Sequence, residues 1–158
     1  MFFLDLLIPF VLAFAGTTIP AIVLHVERRL LPWAGLCGGT GYLVAILATP
    51  GFGIPGYLQV FLGTVAVGLL AESFARVFKT PALTFCIPAI FPLVPGIGAY
   101  QTMQLMVSSQ WEKAAASGVS TGAATFSIAF GLMLVSAFFR RRPTVPRQKP
   151  LPPSGKPL

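Results

Sequence analysis

Few residues of this chain carry chemistry, and those few lie in apolar surroundings. Glu72 stands four positions ahead of Arg76, inside a run from about Gly56 to Phe78 that has no other acid. On a helix that order and spacing favour an ion pair, and near a membrane boundary an arginine can extend its head to water along its apolar stem. The same pair inside a bilayer also fits coupling or gating chemistry, because ionisable groups are expensive there and are usually paired or functional. Both readings stay open. His25, beside Glu27 and Arg28, reads as a boundary residue, and a single histidine supports no metal site. Cys37 and Cys86 fall within apolar runs and read as small packing residues, not as a disulfide or a metal pair. The sequence offers no nucleophile with a base, no carboxylate dyad, no phosphate-cradling loop and no metal-ligand cluster, so neither an enzyme nor a cofactor is expected.

The remaining chemistry belongs to the main chain. Residues 81–100 read PALTFCIPAIFPLVPGIGAY, apolar enough for lipid yet interrupted by Pro88, Pro92, Pro95, Gly96 and Gly98. Each internal proline deletes a helix donor and displaces the carbonyl four residues back. Freed backbone groups are tolerated at membrane depth only where protein buries them or where they line a polar cavity. Broken helices of this kind build mid-membrane substrate sites, which makes Pro92, Pro95, Gly96, Gly98 and Tyr100 the candidate binding residues. A helix restarting near Gly96 would aim its N-terminal amides at a carboxylate without any buried cation. Tyr100, one turn further, has a hydroxyl for substrate or a partner helix, or serves as an interfacial anchor. A kinked packing helix with no site fits the same residues.

Composition fixes the environment. Of 158 residues, 55% are hydrophobic and 9% charged, with a mean hydropathy of +0.82, whereas a soluble domain carries about 25% charged residues. The chain therefore reads as an all-α integral membrane protein with one domain at 1–140. Five apolar runs, at 2–26, 30–49, 56–78, 82–107 and 118–139, approach the ~20 residues that cross a ~30 Å hydrocarbon core. The fourth contains the break; four spans with that segment re-entrant is the alternative. Short connections join them, GFGIPG at 51–56, Lys79-Thr80-Pro81, and SSQWEKAAAS at 108–117.

Of the 11 lysines and arginines, all but Lys113 lie at the end of the first, third or fifth run or just after it. The positive-inside bias then places the N-terminus outside and the C-terminus in the cytoplasm, and four spans would strand a basic cluster on the wrong side. The net charge of +7 is thereby a matter of topology and points to no nucleic acid. Ala13-Phe14-Ala15 resembles a signal cleavage motif but lacks a basic region before it, so the first run is expected to be retained. Gly35 and Gly39, and again Gly118 and Gly122, form GxxxG motifs suited to close helix packing. Residues 141–158, with their prolines and basic side chains, read as a disordered cytoplasmic tail beside anionic lipid.

The run from Phe74 to Tyr100, FARVFKTPALTFCIPAIFPLVPGIGAY, resembles the threonine/serine exporter (ThrE) family, in particular its smaller C-terminal-type domain. The matching residues are Ala75, Arg76, Pro81, Ala82, Leu83, Ile87, Pro88, Pro92, Leu93, Val94, Pro95, Gly96 and Tyr100. With the five-run layout and the Arg28-Arg29 turn, the resemblance covers about 1–140. It implies a multi-pass subunit of the bacterial inner membrane that exports a small amino or organic acid, threonine, serine or in some two-subunit members succinate. It also implies a larger multi-span partner subunit, since a five-span chain cannot hold two equal inverted repeats. A non-transporting assembly subunit and a membrane enzyme are the competing classes, the latter without residues to support it.

Overall fold

The structure, a computed structural model, describes residues 2–48 and 54–139, with side chains from residue 6 onward. The expected tail at 141–158 and residues 51–53 of the 51–56 connection lie outside the described residues. Those described form helices α1 (Phe2–Val23), α2 (Leu31–Leu47), α3 (Gly56–Phe78), α4 (Leu83–Ile90), α5 (Gly96–Val107) and α6 (Trp111–Phe139), with a 3-10 turn at Phe91–Leu93 between α4 and α5 and no strand. In α1, α3 and α6 the chain is long and apolar enough to cross a membrane; α4 and α5, bent by 48° at the break, make a fourth candidate span. The 17-residue α2 is apolar but shorter.

The core lies where α2, α3 and α4 meet. Ala34, Cys37, Val67, Ala71, Phe85 and Ala89 are fully buried there, and Leu93 from the 3-10 turn closes it. Helix approach is set by missing side chains. A Cβ at Gly41 would run into Val67, and one at Gly63 would come within 2.6 Å of Leu93 and 2.7 Å of the Gly41 carbonyl. Phe14 and Phe10 of α1 lie over Gly35 and Gly39, so the first GxxxG motif does bring two helices together. In the second motif only Gly118 is in contact, against Thr102; a Cβ on Gly122 would meet nothing within 4 Å. Trp33 of α2 packs on Phe74 and Phe78 of α3, each at 5.3 Å, and Phe85 of α4 joins them.

Three reversals end in the same way without glycine. His25, Lys79 and Ser109 take left-handed φ values of 56°, 54° and 58°. In each, the next amide reaches back to close the helix, Val26 to Ala21, Thr80 to Ala75 and Gln110 to Leu105, all at 3.0 Å. These are Schellman-type endings. The last run departs from expectation: α6 begins at Trp111, so most of the 108–117 connection is helical. Ala114, Ala115 and Ala116 with Glu112 and Lys113 are strong helix formers, and their propensity extends the helix beyond its apolar part.

Candidate functional site

The break is made by proline and by one extended residue. After α4, the chain tightens through Phe91–Leu93, Val94 is extended at φ −63° and ψ 128°, and Pro95 takes φ −77° and ψ 60° before α5 restarts at Gly96. The Gly96 amide donates to the Val94 carbonyl at 2.8 Å, and the Ala99 amide to Pro95 at 3.1 Å. Gly96 is not in the left-handed region, and a Cβ there would meet nothing within 4 Å. Prolines therefore account for the bend, and glycine freedom does not.

Two neighbouring cavities lie against the break. One of about 440 Å³, open on one side, is lined by Ala13 and Gly16 of α1, Tyr42 of α2 and Phe91 and Pro92 of the turn. Its neighbour, about 190 Å³, shares Tyr42 and Pro92 and reaches Gln59 of α3. Ala13 stands near the middle of α1, Tyr42 about 8 Å from the end of α2 at Leu47, and Pro92 in the turn after α4. The lining is mostly apolar with a few polar groups. Pro20, four residues after Gly16, removes the amide that the Gly16 carbonyl would otherwise receive. Tyr42 is half-buried, and its hydroxyl has no hydrogen-bond partner among the described residues. The Gln59 side chain is held by its amide nitrogen, which donates to the Ile54 carbonyl at 2.9 Å.

The sequence profile of the family described as Threonine/Serine exporter, ThrE, matches residues 9–138. The chain belongs to the ThrE family. No solved structure matches it. The matched residues take in every helix and both cavities, and the ThrE chain is accordingly a multi-pass membrane protein of a transporter family.

Within this ThrE protein the expected binding residues separate. Pro92 alone lines the cleft. Gly98 faces α6, where a Cβ would lie 2.5 Å from the Thr121 hydroxyl, and Thr102 one turn on shares a hydroxyl hydrogen bond of 2.9 Å with Ser117. Tyr100 is 69% exposed and lines neither cavity. Gly98 is therefore a packing residue of the α5–α6 pair. Residues 94–98, the α5 N-terminus included, line neither cavity at the break.

The expected ion pair is also corrected. No Glu72–Arg76 contact at ion-pair distance exists among the described residues. Arg76 instead lies over the Phe139 ring, its guanidinium carbon 4.5 Å from the centroid, and so ties the end of α3 to the end of α6. An aromatic face within reach of a cation near the membrane boundary competes with a carboxylate one turn away. Cys37 and Cys86 are free and buried, and the Cys37 thiol donates to the Val67 carbonyl at 3.3 Å. Tyr42, Gly16 and Gln59 were missed in the sequence. Pro20 was a usable sign for Gly16, since it frees that carbonyl wherever α1 packs; Tyr42 and Gln59 acquire meaning only once α2 and α3 are set beside the turn.

Proposed function

We propose that this chain is the smaller membrane subunit of an exporter for a small carboxylate-bearing metabolite, threonine, serine or a related amino or dicarboxylic acid such as succinate, acting with a larger multi-span partner in the bacterial inner membrane. The observation that carries this reading is the cleft beside the break, lined by Phe91 and Pro92 of the turn, by Gly16 with its proline-freed carbonyl and by Tyr42 in an otherwise apolar wall. Transporter sites have this character: a few polar main-chain and side-chain groups at a discontinuous helix.

A partner is supported by α5. It packs chiefly on α6 and buries none of its residues fully. Ile97, Gln101, Gln104 and Ser108 are exposed along one flank at the four- and three-residue steps of a helix-packing seam. Two glutamine amides facing lipid favour a second protein that can hydrogen-bond them. The Ile97 and Gly98 amides open without a backbone acceptor at the same end, so a partner seated on this flank completes any anion site there.

Export assays with a paired substitution test the cleft. A Cβ at Gly16 would lie 3.9 Å from Pro92, an ordinary contact. Gly16→Ala is therefore expected to export normally, and Gly16→Leu to fill the cleft and abolish export while protein level and partner binding hold. Wild-type export by Gly16→Leu would make the cleft a packing void and return the chain to an assembly role.

A further inference from the structure

A separate cavity lies at the opposite end of α4 from the break. It measures about 440 Å³ and is bounded by His25 and Glu27 of the α1–α2 connection and by Thr80, Thr84, Ile87 and Pro88. The hydroxyls on its wall are unusual for this molecule. Thr17, Thr40, Thr64 and Thr121 all turn their hydroxyls back to a carbonyl one helical turn earlier. Thr80 and Thr84, four residues apart on this wall, donate to nothing among the described residues, and the Thr80 hydroxyl oxygen is buried without a partner. The same wall has a released acceptor, because Pro88 withdraws the amide that the Thr84 carbonyl would receive. The wall from the α1–α2 connection contributes His25 and Glu27, on a backbone fixed by its left-handed closure, with His25 at φ 56° and Val26 bonded to Ala21. On the far side Lys79 at φ 54° holds Thr80 in the same manner.

We infer that this cavity is a loading site for a small zwitterionic amino acid, distinct from the cleft beside the break. The Thr80 and Thr84 hydroxyls and the His25 imidazole meet the carboxylate, and the Glu27 carboxylate with the Thr84 carbonyl meets the ammonium. A buried hydroxyl without a partner is costly, and a ligand that accepts its hydrogen bond removes that cost. Glu27 also selects. A dicarboxylate of similar size would set its second negative charge against this side chain, whereas an α-amino acid sets a positive one. The inference rests on the exporter reading and on the basic helix ends being cytoplasmic, because an exporter loads from that side.

The test uses the full-length protein in inside-out membrane vesicles, with Ile87→Cys on the cavity rim as reporter; the native Cys37 and Cys86 are buried. Labelling by a membrane-impermeant maleimide is followed with L-threonine, L-serine or succinate as probes. L-Threonine and L-serine are expected to slow labelling several-fold and succinate to leave it unchanged. Adding Glu27→Gln or Thr80→Val should raise the protecting concentration about tenfold or more, and Thr80→Ser should restore it. Absence of protection by either amino acid, equal protection by succinate, or protection indifferent to Glu27→Gln and Thr80→Val would overturn the assignment. Protection that persists in a protein exporting none of these probes would sink the exporter reading and leave the binding site standing; export without protection would sink the site alone.

Discussion

Gly41 shows how much of this molecule is decided by single positions. Its missing Cβ lets α2 approach α3 until the Gly63 carbonyl and Val67 occupy the space a methyl group would need. Gly41→Ala is expected to destabilise the protein by about 1–3 kcal/mol, since a packed interior gives way only by moving backbone or rotamers. Thermal unfolding in detergent reads this directly. Val67→Ala should cost less in the Gly41→Ala background than in the wild type, because it removes the clashing group. At Glu72 the expectation is the opposite. With Arg76 over Phe139 and no ion pair to lose, Glu72→Gln should leave melting and protein level near wild type. Arg76→Ala and Phe139→Ala should each loosen the α3–α6 ends by about 0.5–1 kcal/mol, with no extra loss when combined. A stable Glu72→Gln protein that fails to export would then report a coupling role, and destabilisation equal to that of Arg76→Ala would restore the ion pair.

At the scale of elements, the break in the fourth run is a two-proline device. Replacing both Pro92 and Pro95 by alanine returns the missing amides and allows α4 to continue toward α5. Export is expected to fall by more than tenfold, and a pair of spin labels placed on α4 and α5 should move apart as the 48° bend opens. An unchanged label distance would show that surrounding helices, not the prolines, impose the bend. This feature was legible in the sequence because a proline has the same local consequence in any context. The exchange of roles around it was not. Gly96 and Gly98 stand alike among the candidate binding residues in the sequence, and only the neighbours of Gly98, with Thr121 facing it, and the open space at Gly96 show which glycine is packed. The three Schellman-type endings were hidden for the converse reason, since histidine, lysine and serine replace the glycine that ordinarily marks them. On α5, Gln101→Leu with Gln104→Leu should leave the chain folded and weaken its co-purification with the larger subunit; undiminished co-purification would clear this flank of a partner role.

Over the whole molecule the open quantity is the number of crossings, and it turns on α2. At 17 residues this helix is about 26 Å long, slightly under a ~30 Å core. Its neighbours argue that it crosses. Trp33 at its start lies on Phe74 and Phe78 at the end of α3, the Cys37 thiol bonds the Val67 carbonyl in the middle, and Gly41 meets Gly63 near the start of α3. So α2 runs antiparallel beside most of α3, and a helix packed along a spanning helix is carried across with it. Counted with α1, α3, α6 and the bent α4–α5 pair, a crossing α2 would make five and would set the start of α1 and the end of α6 on opposite faces, which is the arrangement we propose. Such an arrangement would also keep Arg28, Arg29, Arg76 and Lys79 on one face, as the positive-inside bias requires. A phosphatase fused after Phe139, active only outside the cytoplasm, should be silent. Arg28→Cys should label only from inside, and Ser109→Cys only from outside. Phosphatase activity at the C-terminus would remove one crossing, and because α3 is long enough to span by itself, the helix to give up would be α2 or the bent pair. Labelling of Lys79→Cys from inside together with an active tail fusion would point to the bent pair as a re-entrant hairpin, since that arrangement leaves the first three helices in place and reverses only α6, whereas loss of the α2 crossing would put Lys79 outside.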